Sequence, residues 1–123
     1  MNNNLIPFRG VKRYLTAIME AIMAVKPLID ALPKSEDDYM KAALNNSVNE
    51  LLKDPCKPGH SYNEEKVRNY YSDYMSNLAR LKAQIKIVFY KKYINEKDKS
   101  NMIIRINIVE RNVGSAAGNF FGS

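Results

Sequence analysis

The chain has 123 residues, of which 46% are apolar and 26% charged, a balance typical of one globular domain rather than of a disordered or collagen-like chain. A domain of this size buries enough surface to fold without disulfides or bound metal. Its one cysteine, Cys56, excludes an internal disulfide and favours a cytoplasmic location. No uncharged run reaches the roughly 20 residues that a membrane-spanning helix needs.

The first predicted helix runs from about Gly10 to Leu32, because apolar residues recur there at alternating steps of four and three. Pro27 is expected to kink this helix or to end its first part, and Pro33 stops it. The apolar stripe, which we expect to face the core, consists of Val11, Leu15, Ile18, Ile22, Val25, Ile29 and Leu32.

Basic residues at the start of this helix raise two alternatives. Arg9, Lys12 and Arg13 before an apolar stretch resemble the charged region of a secretory signal, but Glu20 interrupts that stretch and argues against one. The same three residues could place the helix on a membrane surface. The regularity of the stripe favours burial inside a bundle instead.

A second helix is predicted from Ser35 to about Lys53. A serine followed by three acidic residues is typical of a helix start, because the hydroxyl caps free N–H groups and the carboxylates meet the positive end of the dipole. Residues 54–59, which hold two prolines and a glycine, predict a loop. The inward positions are Met40, Leu44, Val48 and Leu51.

The third helix is predicted to be long, from about Tyr62 to Asn95, with Ser61 and Glu64 forming a capping box at its start. Its stripe again alternates steps of four and three. The residues of this stripe are Val67, Tyr71, Tyr74, Leu78, Leu81, Ile85 and Val88.

A polar connector is expected over residues 95–100, and the segment from Asn101 to Val113 has two interpretations. Its isoleucines favour a strand. A lone strand would find no partner in a helical chain, and Ser100 can cap a helix, so we favour a helix. Residues 114–123 are rich in glycine and predict a flexible tail.

These elements predict an all-α fold: a compact bundle of three to four helices, with residues 1–113 forming one domain and 114–123 the tail. In the helical interpretation, Met102, Ile106, Val109 and Val113 share a face, and three isoleucines off that face leave apolar surface for a partner. Two tail phenylalanines could serve as an apolar hook. The predicted protein interface therefore consists of Ile103, Ile104, Ile108, Phe120 and Phe121.

No residue pattern predicts catalysis, a metal site or a cofactor. Cys56 and His60 lie four residues apart in a loop, where a nucleophile pair would lack an orienting group and a metal ion would lack further ligands. We therefore interpret both as ordinary loop residues. The carboxylate pairs at helix starts are explained by capping and dipole effects.

The formal net charge of +6 is concentrated in the last third of the chain. A basic cluster with interleaved tyrosines could neutralise phosphates and stack on bases, whereas the alternative is a solvated helix face. The nucleic-acid candidates are Arg80, Lys82, Lys86, Tyr90, Lys91, Lys92, Lys97 and Lys99.

The sequence thus predicts a non-enzymatic helical adaptor or assembly subunit that contacts another protein or a second copy of itself. A nucleic-acid-binding accessory subunit is the alternative, and membrane-surface binding by the first helix is the third option. No cofactor and no integral membrane span are expected.

Overall fold

The computed structural model describes residues 11–53 and 64–121, which form four α-helices. These are α1 (Val11–Ala31), α2 (Ala42–Leu51), α3 (Glu64–Tyr90) and α4 (Glu96–Phe121). A 3₁₀ turn (Lys34–Glu36) and a π-helical segment (Asp37–Lys41) precede α2. No strand occurs within these residues, so the predicted all-α bundle and the helical interpretation of residues 101–113 are confirmed.

Successive helices run antiparallel. The Tyr74 hydroxyl, in the first half of α3, donates a hydrogen bond to the carbonyl of Leu51 at the end of α2. The Lys99 ammonium, in the first turn of α4, lies 4.4 Å from the centre of the Phe89 ring at the end of α3. Helix α1 packs against both α4 and α2, which closes the four helices around one core.

Helices α3 and α4 each contribute one apolar stripe to the core, and on α3 this is the predicted stripe from Tyr74 to Val88. Heptad-like steps place one residue per turn on the same side of each helix, where burial removes apolar surface from water. The buried residues of these two helices include Tyr74, Leu78, Leu81, Ile85, Val88, Met102, Ile106, Val109 and Val113.

The buried face of α1 is broader than the predicted stripe and is rotated relative to it. Ile18, Val25 and Ile29 are buried as predicted, but the Leu15 side chain is 41% exposed. Small residues and a tyrosine take the inner positions because α4 packs closely on this side. The additional buried residues are Tyr14, Ala17, Ala21 and Leu28.

Pro27 neither ends α1 nor separates it into two helices, contrary to one of the two predicted outcomes. Proline lacks the N–H that would donate to the carbonyl four residues earlier in the helix. Pro27 lies on the exposed side of α1, so this hydrogen bond is missing on the solvent side and not on the packed face. The helix continues to Ala31, and Pro33 follows its end as predicted.

The prediction of one regular helix over residues 35–53 was wrong at its start. Ser35 lies within the 3₁₀ turn, and the α-helical part begins only at Ala42 without a side-chain cap. A 3₁₀ turn winds more tightly than an α-helix, and the π-helical segment after it winds more loosely. Within this irregular segment, Glu36 is buried. Leu44, Val48 and Leu51 are buried as predicted.

A line of polar contacts joins α2 to α3. The Ser47 hydroxyl lies 2.8 Å from Oε1 of Gln84, and the Asn77 amide donates to the Ser47 carbonyl at 2.9 Å. Arg80 in turn donates to the side-chain oxygen of Asn77 at 3.2 Å. Because Ser47 and Asn77 are buried, these bonds satisfy groups that would otherwise be costly to remove from water.

Both ends of α4 differ from the prediction. The helix begins at Glu96, because the side chain of Asn95 accepts a 2.7 Å hydrogen bond from the Asp98 amide and caps it. Residues 96–100 therefore belong to the helix, and Ser100 is not its cap. At the other end, α4 continues to Phe121, where Ala116 and Ala117 are buried. The flexibility predicted for residues 114–123 stays a prediction.

Candidate interaction surface

A buried carboxylate joins two distant parts of the chain at one end of the bundle. Glu36 is only 7% exposed, and its Oε2 accepts hydrogen bonds from Lys91 Nζ at 2.8 Å and from the Tyr93 hydroxyl at 2.9 Å. A carboxylate removed from water needs such partners to remain charged. These two hydrogen bonds join the 3₁₀ turn before α2 to the turn between α3 and α4, and we call them the Glu36 tie.

The same contacts change the titration of all three groups. Hydrogen bonds from Lys91 and Tyr93 lower the pKa of Glu36 below its ordinary value of 4.5. The bond to Glu36 raises the pKa of the Lys91 ammonium above 10.5 and that of the Tyr93 phenol above 10.0. Across neutral pH, Glu36 is therefore ionised and both donors keep their protons.

The turn that carries Lys91 and Tyr93 is a Schellman motif. The Lys92 amide donates to the Phe89 carbonyl at 2.9 Å, and the Tyr93 amide donates to the Val88 carbonyl at 3.2 Å. This geometry requires a left-handed residue after the helix, and Lys92 supplies it with a φ of 67°. Glycine usually occupies this position, so the turn holds a lysine in a conformation that L-residues adopt at some cost.

Exposed aromatic and aliphatic side chains lie next to this tie. Tyr39 follows Glu36 by three residues and is 79% exposed, while Tyr90 directly precedes Lys91 and is 81% exposed. Ile87 lies one turn before Lys91 on the same side of α3 and is 44% exposed. We refer to Tyr39, Ile87, Tyr90 and Lys92 as the end surface.

A groove of about 290 Å³ lies on the other side of the same turn, between the second half of α1 and the first turns of α4. We call it the end groove. Its polar lining residues are Tyr93, Asp98 and Asn101. Its apolar lining consists of Ala24, Pro27, Leu28, Ala31, Ile94 and Met102.

The predicted basic cluster is divided by its contacts within the chain. Lys82 binds Glu110 at 2.9 Å and Asn107 at 3.1 Å, and Lys91 is held by Glu36. Lys99 pairs with Glu96 at 3.1 Å. These three ammonium groups are therefore partly neutralised by neighbouring carboxylates.

Along α3 the cluster occupies more than one side of the helix, although Lys82, Lys86 and Tyr90 recur at steps of four. Arg80 and Lys82 are two positions apart, which places them about 200° apart around a helix, so they lie on different sides. Among the described residues, no carboxylate lies within ion-pair distance of Lys86, Lys92 or Lys97. Tyr90, Lys91 and Lys92 remain together at the end of α3.

The isoleucines of the predicted interface have different environments. Ile103 and Ile108 are partly buried and pack against the core, whereas Ile104 is 56% exposed. The side chains of Phe120 and Phe121 lie outside the described residues, although both belong to α4. Their role as an interface stays a prediction.

A second exposed apolar strip lies on α1. Leu15, Met19 and Met23 recur every fourth residue and are between 41% and 68% exposed. The opposite side of α1 is buried in the bundle, although the predicted stripe had assigned Leu15 to that side. The described part of the chain holds no helix that is long and apolar enough to cross a bilayer.

Cys56 and His60 lie outside the described residues. Over residues 11–53 and 64–121, no group of three histidine, cysteine, aspartate or glutamate side chains is placed to hold a metal ion. The structure therefore adds no ligand set to those considered from the sequence.

Sequence reasoning missed the burial of Glu36 and the left-handed turn at Lys92, a residue that it placed only in the basic cluster. Glu36 was interpreted as one of three acids at a helix start, and nothing in the pattern distinguishes it from Asp37 or Asp38. Lys92 lacks the glycine that signals a helix end. The exposure of Tyr39 was predictable, because this tyrosine lies on the polar side of a predicted amphipathic helix and that side faces solvent.

Comparisons with known proteins give no relative on which to base a function. The chain matches no protein-family model, and searches of curated proteins and of solved structures found no match. The class that the fold defines is an antiparallel four-helix bundle.

Proposed function

We propose that the chain is a non-enzymatic helical adaptor or assembly subunit that binds another protein through the end surface. The observation that carries the proposal is the exposure of Tyr39 and Tyr90, each about four-fifths open to solvent at the same end of the bundle. Tyrosine is enriched at protein interfaces and among the few residues that carry most of their binding energy, since its ring buries a large area with few rotatable bonds. Cytoplasmic location remains part of this proposal, supported by the single cysteine.

The rigid support beneath the end surface favours the same conclusion. The Schellman motif fixes the backbone after Tyr90, and the Glu36 bonds hold the residues on either side of Lys92. An anchor that is already ordered loses less entropy when a partner binds. A left-handed lysine at such a turn also matches the tendency of strained residues to occur at functional sites.

Site-specific photo-crosslinking in the cells that produce the chain tests the proposal. A photo-reactive phenylalanine analogue replaces Tyr90 in one variant and Ser76 in the control. Ser76 is exposed on the same helix, about 21 Å away along its axis. We expect a discrete adduct with one protein at position 90 and none at position 76. Equal labelling at both positions, or no protein adduct at position 90, would contradict the proposal.

Nucleic-acid binding is the second candidate, because Tyr90, Lys91 and Lys92 still form a contiguous aromatic and basic group. Against it, Lys91, Lys82 and Lys99 are already paired with Glu36, Glu110 and Glu96 within the chain. The crosslinking experiment separates the two candidates. An adduct at position 90 that shortens on nuclease digestion, and whose yield falls steeply with salt, would replace the first proposal by the second.

A further inference from the structure

The end groove differs from the rest of this basic protein in its charge. Asp98 is its one charged lining residue, and among the described residues no lysine or arginine lies within ion-pair distance of that carboxylate. Most of the remaining lining is apolar. A groove of this kind is complementary to a group that joins an apolar body to a positive charge.

Of the two other polar lining residues, Tyr93 offers a ligand only an acceptor, whereas the Asn101 amide both donates and accepts hydrogen bonds. The Tyr93 hydroxyl donates its proton to Glu36, so it has none for a ligand. Because Asp98 is the one ionised group in the lining, the groove favours a ligand that brings a positive charge with hydrogen-bond donors, as an ammonium or guanidinium group does.

We propose that the end groove binds a segment of a partner protein in which an apolar side chain is followed by an arginine or a lysine. The apolar side chain packs between Leu28 and Met102, and the cation pairs with Asp98. The volume of about 290 Å³ is close to the lower limit of small-ligand sites, which suits one side chain and its stem rather than a larger ligand. This proposal concerns the groove alone and does not depend on the end surface being an interface.

The probe for the test is the capped dipeptide acetyl-Leu-Arg-amide, titrated into ¹⁵N-labelled full-length chain and followed by amide chemical shifts. We expect saturable shifts at Ala24, Leu28 and Asn101. The neutral analogue acetyl-Leu-Gln-amide lacks the charge and is expected to bind about three- to fivefold more weakly, as for a partly exposed ion pair.

Three variants make the test specific. Asp98→Asn should remove the preference for the arginine peptide, whereas Glu96→Gln, which also removes a carboxylate from the first turn of α4, should retain it. Ala31→Phe places a ring in the groove and should weaken both peptides. Ala31 is exposed, so this change leaves the core intact.

Three results would overturn the proposal. One is the absence of saturable shifts at the groove residues. Another is equal affinity for the arginine and glutamine peptides. The third is an arginine preference that persists in Asp98→Asn while its amide spectrum keeps the dispersion of the folded chain. None of these outcomes bears on the crosslinking at Tyr90, so the two proposals fail separately.

Discussion

Lys92 adopts a backbone conformation that glycine adopts without a steric penalty, and it does so in the turn that positions Tyr93. A left-handed L-residue costs roughly 1–2 kcal/mol relative to its ordinary conformation. The bundle holds Lys92 there because two backbone bonds and the Glu36 tie fix the residues around it.

Replacing Lys92 by glycine should therefore stabilise the protein by about 0.5–1 kcal/mol, after the greater unfolded-state entropy of glycine is subtracted. Urea denaturation measures this as a higher midpoint with an unchanged slope. Lys92→Ala is the matched control, because it removes the same charge and keeps the strain. If the alanine variant gained as much as the glycine variant, the strain would not be the cause.

The Glu36 tie should make stability depend on pH at both extremes. Because the pKa of Glu36 is lowered in the folded state, its contribution is complete above about pH 4.5 and is lost as the pH falls through the lower folded value. The raised pKa values of Tyr93 and Lys91 change the stability at alkaline pH instead. Their contribution is complete below about pH 10 and is lost as the pH rises through the raised values.

Glu36→Gln should flatten both limbs of the stability profile, since it removes the charge that shifts all three groups. Thermal unfolding across the two pH windows measures this. Glu50→Gln is the control, because Glu50 forms an ion pair with Lys53 in which both side chains are exposed to solvent. Such a pair contributes little to stability. A profile of Glu36→Gln that followed the unmodified protein would show that the tie contributes no pH dependence.

At the scale of elements, the start of α4 depends on one side chain. Asn95 caps the helix through the Asp98 amide, and Ser100, the cap expected from the sequence, lies inside the first turns. Asn95→Ala should lower the free energy of unfolding by about 1 kcal/mol. Ser100→Ala should change it little, since its hydroxyl contact with Glu96 is long, at 3.5 Å. A larger loss of stability in Ser100→Ala than in Asn95→Ala would support the predicted helix start, with Ser100 as the cap.

The end of α4 gives a second test at this scale. Gly114 lies within the helix, and a Cβ added there would meet the Tyr71 hydroxyl at 3.6 Å, an ordinary contact. Gly114→Ala should therefore stabilise the protein by about 0.5–1 kcal/mol, because alanine favours the helix and glycine does not. In a flexible tail the same substitution would have no effect on the denaturation midpoint, and that result would support the predicted tail.

Patterns that depend on local periodicity were predictable, and those that depend on distant contacts were not. The stripe from Tyr74 to Val88 was found because its spacing follows the helical repeat. The end of α3 at Tyr90 was missed because the sequence there contains no glycine or proline. Glu36 was missed because its burial is fixed by Lys91 and Tyr93, more than fifty residues away.

For the whole molecule, the rotated face of α1 gives a prediction about the core. Leu81 is fully buried, whereas Leu15, assigned to the core by its spacing, is 41% exposed. Leu81→Ala should lower the free energy of unfolding by about 2–5 kcal/mol through lost burial and the cavity left behind. Leu15→Ala should cost well under half of that. Comparable losses in chemical denaturation would mean that Leu15 faces the core after all.

The line of polar groups between α2 and α3, together with the Glu36 tie, has a consequence for how the bundle selects one arrangement. If α2 slid by one turn along α3, the apolar residues would still meet apolar residues. Glu36 would then be an unpaired buried charge, and Asn77 would lose the Ser47 carbonyl. Such misaligned forms are penalised by unmet polar groups rather than by poor packing. The protein thus encodes its helix alignment in a few hydrogen bonds between groups that are 30 to 57 residues apart in the chain.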